Sequence, residues 1–262
     1  MYTIKLLFIG FMLFFISCAT KKLDKKETIL AIFAHPDDET VVAPVLAKYA
    51  ANGHAVYLVT ATDGQFGVTN HFGMPAGDSL AAVRDVELAC SCEVMGIHPP
   101  IRLGLQDGMG LNGHGNFYEQ VPKFEKALKP ILQEIKPTKI ITYGPDGDTG
   151  HPDHRLVGML TTELLLKGKL LPKIDLYHFG WTKRQAEKYV GWNLGYVSDE
   201  YLDTSISFND AEKEKGLATI RCHKSQYTKA EMEKWIQWEV DDPENILYFR
   251  KFVLSNKLRE EL

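Results

Sequence analysis

The chain has 262 residues, ample for one large globular domain, and 45% hydrophobic against 24% charged residues is an ordinary globular balance. A formal charge of −4 and a pI near 6.1 leave no basic excess. Nucleic acid is therefore not an expected partner.

The first stretch is not part of the fold. Lys5 precedes an apolar run, Leu6 to Ile16, that ends at Ser17-Cys18-Ala19. A charged start, a short apolar run and a small residue before Cys read as a signal peptide over residues 1–17. It resembles a bacterial lipoprotein signal, with Phe15 where such signals usually carry Leu. The resemblance implies that Cys18 is lipidated after cleavage and anchors the protein in the cell envelope, as a periplasmic or outer-membrane lipoprotein. The alternatives are a signal cut elsewhere and an N-terminal membrane helix, for which the run is short. Residues 18–27 then form a polar tether, and 28–262 a single domain.

Within that domain, Thr28 to Phe33 reads as a buried strand, and the segment from Val41 as a helix stopped by Gly53. Ala55–Ala61 is a second strand. The Gly-rich stretch from Asp63 to Asp78 is a long loop, of a length that often covers a site. Ser79 caps a helix from Leu80 to Met95. Ile101–Leu103 is a short strand, Gln106–Gly115 a second Gly-rich loop, and Val121–Ile135 a helix. The strand Lys139–Tyr143 leads through the turn Gly144–Gly150 into a helix ending at Lys167, followed by the strand Lys173–Phe179. Beyond this the pattern weakens. Asn209 or Asp210 caps a helix running to His223, Ala230–Trp238 reads as a short helix, and Asn245–Leu254 as a segment at the sheet edge. The alternation predicts a Rossmann-like α/β fold, with a mostly parallel sheet and helices on both faces. Cys90 and Cys92 point to different faces of one helix. A bond from either to Cys222 stays open, with burial as small hydrophobic residues the favoured reading.

Two clusters of ionisable residues follow apolar strands and open helices: Ala34-His35-Pro36-Asp37-Asp38-Glu39 and His151-Pro152-Asp153-His154. Ligand sites of open α/β sheets lie at such turns. His35 and Asp38 are three apart, as are His151 and His154, so each pair shares one face of a helical turn. Each proline holds the preceding His in an extended conformation. Two neutral His and one carboxylate with an open position suit catalytic zinc, and no Cys in either cluster offers a closed thiolate site. His35, Asp38 and His154 are the expected ligands; the alternative replaces His154 with His151. Fe(II) or Co(II) also suits such donors. Asp37 is the expected general base. His151 is the expected general acid and oxyanion stabiliser, with Asp153 orienting it and keeping it charged.

At these residues the chain resembles the PIG-L/LmbE-like zinc de-N-acetylases, whose hallmarks are AHPDDE after the first strand and an HPDH-type motif after a later one. Further matches are Arg84-Asp85-Val86-Glu87 with Met95-Gly96-Ile97, then Leu105-Gln106-Asp107-Gly108, and His223-Lys224-Ser225-Gln226. The resemblance covers about Ile29 to Gln226. It implies removal of the N-acetyl group from an N-acetylglucosamine-type amino sugar or its conjugate, and the same three zinc ligands. It also implies substrate roles for Arg84 and Asp107. For Arg84 an ion pair with Glu87 is the rival reading, and for Asp107 a turn-forming Asp-Gly. Glu39 is expected to support the site through hydrogen bonds. Thr149 stands where some sugar-thiol deacetylases carry Tyr, which separates this chain from their substrate. The tryptophans could stack on sugar rings, although core packing is the favoured reading. Two rivals remain: a zinc hydrolase of another amide or ester, and a non-catalytic sugar- or metal-binding lipoprotein. Retention of both Asp37 and His151 argues against the second.

Overall fold

The computed structural model describes residues 25–109, 117–170, 173–192 and 194–253. The segment expected to be a signal peptide, and Cys18, lie outside them. Strand β1, Thr28–Phe33, sets the architecture, because every residue from Ile29 onward is buried. Ile29, Ala31 and Phe33 face one apolar cluster, and Leu30 and Ile32 face another. A strand buried on both faces needs helices on both sides.

Among the described residues the strands form one seven-stranded sheet. The remaining strands are β2 (Ala55–Thr62), β3 (Ile101–Leu105), β4 (Lys139–Tyr143), β5 (Asp175–Phe179), β6 (Thr204–Ser207) and β7 (Ile246–Lys251). Their order is β3-β2-β1-β4-β5-β7-β6, with β1 to β5 parallel and β7 antiparallel to both its neighbours. Ala31 of β1 lies opposite Leu58 on one side and Ile141 on the other. The chain leaves β1 toward β2 and β3, then returns to place β4 on the other side. The carboxyl ends of β1 and β4 therefore form the switch point, where open sheets leave a crevice.

Helices α1 (Ala43–Ala51), α2 (Asp78–Met95), α6 (Asp210–Ile220) and α7 (Lys229–Asp241) cover the first face through Leu46, Leu88, Leu217 and Trp235. Helices α3 (Phe117–Ile135) and α4 (Pro152–Lys167) cover the second, through Phe124, Leu128, Val157 and Leu160. The short α5 (Lys183–Lys188) starts in a reciprocal cap between Thr182 and Gln185.

Three features depart from the sequence expectations. The first helix begins as a 3-10 turn, Asp38–Val42, before α1. The segment expected at the sheet edge becomes β7 inside the sheet, because β6 adds outside it; β6 is only four residues long with a single aliphatic residue, Ile206, too weak a pattern to read. Cys90 and Cys222 form a disulfide across 132 residues, with Cα atoms 5.9 Å apart, while Cys92 is free and buried. The expectation of buried free cysteines is thus corrected for that pair. The packing of α6 against α2 brings the two together.

Candidate active site

The turn after β1 is built around the Asp38 carboxylate. Its Oδ2 accepts the Ala34 and His35 N–H groups at 3.0 and 2.8 Å, and its Oδ1 lies 3.1 Å from His154 Nε2. Asp38 thus shapes the turn and faces the second cluster at once. Asp37 has φ 112 and ψ −22, a left-handed conformation costly for any residue with a Cβ. Its N–H donates to Glu39 Oε2 at 3.0 Å, and its carbonyl accepts from Thr40 N and Oγ1. Glu39 is fully buried and its other oxygen lies 2.7 Å from His223 Nε2, so the supporting role expected of Glu39 draws in His223 as well.

The turn after β4 delivers the other imidazoles. His151 caps α4: its Nδ1 accepts the Asp153 N–H at 3.2 Å, with Pro152 opening the helix. In the neutral ring the hydrogen then sits on Nε2. His154 Nδ1 lies 3.0 Å from the Gly147 carbonyl, which can only accept, so Nδ1 carries a hydrogen and Nε2, facing Asp38, is the nitrogen placed for a ligand role. Its ring stacks on Tyr143, with centroids 4.4 Å apart and planes within 9°. Helix α4 runs so close to β4 that a Cβ at Gly158 would collide with the Tyr143 carbonyl.

The clusters converge. The ring centroids of His35, His151 and His154 lie 4.9, 5.3 and 5.1 Å apart pairwise, and one ring nitrogen from each falls within 4.8 Å of the others. His35 Nε2 faces Asp107 Oδ1 at 3.2 Å and Asp153 Oδ2 at 3.3 Å, both acceptors, while its Nδ1 faces Asp38 Oδ2 at 3.6 Å. His35 Nδ1 and His154 Nε2 therefore flank one buried carboxylate. This donor set fits a divalent ion, each His being oriented through its other nitrogen as metal-bound imidazoles are. Burial opposes ionisation of Asp38, but His154 and His35 outweigh it and hold the carboxyl well below its usual range. Burial pushes the Asp37 carboxyl up, against the pull of Arg84.

The Asp153 carboxylate pairs elsewhere than with His151, and the Arg84–Glu87 ion pair, the rival to a substrate role for Arg84, is replaced by another. The Asp153 carboxylate binds His35 and the Gly108 N–H; what it gives His151 is its backbone N–H. Arg84 pairs with Asp37 Oδ1 at 3.1 Å rather than with Glu87, whose carboxylate instead takes the N–H and hydroxyl of Ser225. The reason is the Gly64 turn: Arg84 donates to the carbonyls of Gly64 and Pro36, and the left-handed Gly64 leaves no Cβ in its path. Asp107 accepts the N–H groups of Phe66 and Gly108, and with His35 beside it its pKa falls to about 2, despite burial.

A cavity of about 390 Å³ opens over this floor, within the ~300–1,000 Å³ usual for small-molecule sites. His35, Asp37, Asp38, Arg84, Asp107, Thr149, His151 and His154 all line it; the buried Asp153 does not. Among the lining residues, Tyr227 and Asp148 escaped the sequence reading. Tyr227 donates its hydroxyl to Asp37 Oδ2 at 3.2 Å, and the only hint was its place directly after the His223–Gln226 motif. Asp148 is bonded to Trp181 Nε1, and burial raises its pKa to about 6. Trp192 lies in irregular sequence and forms part of the cavity wall, whereas Trp181 packs in the core as expected.

Residues 30–165 match the family model described as GlcNAc-PI de-N-acetylase, PIG-L. The chain is similar to a 1D-myo-inositol 2-acetamido-2-deoxy-alpha-D-glucopyranoside deacetylase of Corynebacterium glutamicum, with 30% identity over 76% of this chain and 74% of the relative. N,N'-diacetylchitobiose deacetylase of Pyrococcus horikoshii shares the fold, with a TM-score of 0.61 at 21% identity over 86% of this chain and 84% of that one. So does the 4-carboxy-2-hydroxymuconate hydratase GalB of Pseudomonas putida, with a TM-score of 0.59 at 15% identity over 90% and 99%. At such identities the structural likenesses establish the fold and not the reaction. The family model, the relative and the two motifs on adjacent strand ends agree, and the chain belongs to the PIG-L de-N-acetylase family.

Proposed function

We propose that this protein is a metal-dependent hydrolase that removes the N-acetyl group from an N-acetylglucosamine-type amino sugar or its conjugate. The observation that carries this reading is Asp37, which lines the cavity beside the Asp38 carboxylate yet is held by Arg84 and Tyr227. A site that only bound metal would need no such carboxylate. His35 through Nδ1, His154 through Nε2 and Asp38 would hold the ion, because both nitrogens face the Asp38 carboxylate. Zinc suits the set best, and Fe(II) or Co(II) also fit. When bound, such an ion polarises the acetamide carbonyl and acidifies an attacking water. Asp37 takes the water's proton, held in place by the hydrogen bonds of Arg84 and Tyr227. His151 lines the same cavity, and its neutral ring, with the hydrogen on Nε2, is placed to hydrogen-bond the developing oxyanion, while Asp37 returns the water's proton to the departing amine. Because Nδ1 accepts the Asp153 N–H and Nε2 carries the hydrogen, His151 suits oxyanion stabilisation better than metal binding. The products are acetate and a free amino sugar. The test is acetate release from N-acetylglucosamine compounds by the purified protein, with metal analysis, before and after chelation. No release from any of them, or release untouched by metal removal, overturns the reading.

The protein's location is proposed as the cell envelope, through lipid on Cys18. Support comes from the Lys5 to Cys18 pattern and from the Cys90–Cys222 disulfide, which suits an oxidising compartment. Cys18→Ala should release the protein from membranes in a host with lipoprotein processing. Unchanged fractionation, with no lipid mass on the wild type, overturns it.

A further inference from the structure

Of the carboxylates that line the reaction cavity, Asp38, Asp37 and Asp107 are accounted for. Asp38 faces the imidazoles, Asp37 is held by Arg84 and Tyr227, and Asp107 binds His35 and the N–H groups of Phe66 and Gly108. Asp148 lines the same cavity and has no such task. It is 6% exposed, its Oδ1 accepts the Trp181 indole N–H, and among the described residues no hydrogen bond reaches its Oδ2. The fold does not need a carboxylate there. Asp148 holds φ 58, a left-handed conformation that Gly adopts freely and Asn as readily as Asp. An Asn would also give Trp181 the same acceptor. The charge, by contrast, is opposed by its surroundings. Burial pushes the Asp148 pKa up to about 6, Asp38 and Asp146 add to the rise, and no Lys or Arg among the described residues pairs with it. A residue that breaks a local rule without a structural return marks a functional position.

Its place in the cavity is fixed. The Gly147 carbonyl that holds His154 Nδ1 belongs to the residue just before Asp148, while Asp107 lies against His35. One carboxylate thus stands beside each of the two imidazoles. The Asp148 backbone is pinned, with its carbonyl accepting the Gly195 N–H at 2.6 Å and its N–H donating to Asp146 Oδ2 at 3.1 Å. Trp181, which holds the side chain, meets Phe179 and Tyr189 edge-on at 4.8 and 5.2 Å. An ionised carboxylate only accepts, so its ligand must bring a donor. A sugar whose acetamide lies at the His/Asp floor brings such donors, because the carbons beside the acetamide carry their own oxygens.

We propose that Asp148 is a specificity-determining residue, whose Oδ2 accepts a hydroxyl of the reacting amino sugar on the His154 side of the floor, as a counterpart to Asp107 on the His35 side. The inference rests on the deacetylase reading of the same cavity. It gives a recognition role to a residue outside both sequence motifs, and it restricts the substrate to amino sugars in which that hydroxyl is free.

The test is a cycle of variants against substrate analogues. Acetate release from N-acetylglucosamine and its monodeoxy derivatives is measured for the zinc-loaded wild type, Asp148→Asn, Asp148→Gly and Asp107→Asn. One deoxy compound should lose about 10–100-fold in kcat/KM on the wild type, the range for a hydrogen bond to a charged group. On Asp148→Asn and Asp148→Gly the same compound should do no worse than N-acetylglucosamine, with the loss for N-acetylglucosamine itself in KM rather than kcat. On Asp107→Asn the penalty should persist. A carboxyl that merely held the turn would weaken all the compounds alike and leave every deoxy penalty in place, and that result overturns the proposal. So does a penalty that only Asp107→Asn removes, or loss of metal from Asp148→Asn. Asn keeps the Trp181 bond and Gly suits the left-handed backbone, so either variant decides if the other does not fold; if neither folds, Asp148 is structural and the proposal fails. Calorimetric binding of the same compounds to the metal-free proteins repeats the cycle without turnover. If no compound releases acetate, the deacetylase reading fails. A deoxy penalty in binding that disappears in Asp148→Asn then still assigns the hydroxyl to Asp148, and its persistence overturns the assignment.

Discussion

Asp37 concentrates several costs in one residue. It holds φ 112, it is adjacent in sequence to Asp38, and it needs both Arg84 and Tyr227 to fix its carboxylate. Strain of this kind persists where the surroundings enforce it, and often at functional sites. Asp37→Asn keeps a side chain that tolerates the left-handed region, so it isolates the loss of the base. It should retain metal and lose activity by ~10²–10⁴-fold, the usual range for a general base. His154→Ala should lose metal and activity together, and His151→Ala should keep metal and lose turnover. Metal content and kcat measured side by side on the three variants check this; a metal-free His151→Ala would reverse the division of roles. A second titratable residue acts far from the proposed chemistry. His178 on β5 lies 3.1 Å from Thr162 Oγ1, and burial, with Arg250 nearby, lowers its pKa from 6.5 to about 4. Its neutral form is favoured in the folded state, so between those values the unfolded chain binds a proton the native state lacks. Stability should therefore fall as pH drops from about 6.5 toward 4, and His178→Phe should flatten that fall in denaturant melts at pH 5 and 7.5.

At the scale of elements, the site is two strand-to-helix turns held side by side. Pairing of β1 with β4 sets the separation of the turns, and the close approach of α4 to β4 sets the angle of His151 and His154. Gly158 permits that approach. Gly158→Ala forces α4 away from Tyr143 and should cost about 1–3 kcal/mol, as overpacked cores do. It should also weaken metal retention, because His154 stacks on Tyr143 and moves with α4. A thermal melt and metal analysis of the variant check both; loss of stability with full metal content would separate the helix position from the ligand geometry.

Across the whole molecule, the C-terminal layer completes a site that begins at the first strand. His223 binds Glu39, Ser225 binds Glu87, and Tyr227 reaches Asp37, all just beyond Cys222, which is bonded to Cys90 on α2. The disulfide thus pins this segment against the helix that carries Arg84. Closing 132 residues into a loop restricts the unfolded chain, and removing such a bond costs about 2–5 kcal/mol. Cys90→Ala with Cys222→Ala should lower the melting temperature accordingly. Reduction of the wild type should reproduce the shift, and an unchanged melt in both would show that packing alone holds the segment.

The sequence by itself determined the strand and helix alternation of the first two-thirds, and the identity of the groups at the two turns. Those are local properties: apolar period, Gly and Pro punctuation, and His and Asp within a few residues of each other. It left β6 unread, because a short, polar edge strand carries no periodic signal of its own. Only the tertiary structure decided which atoms of those groups face one another. The tautomer of His154 depends on the Gly147 carbonyl, the partner of Arg84 on the Gly64 turn, and the disulfide on how α6 lies across α2. The hold of Tyr227 on Asp37 spans 190 residues, and that of His223 on Glu39 spans 184. Contacts at such separations follow from the packing of whole layers, which no window of sequence contains.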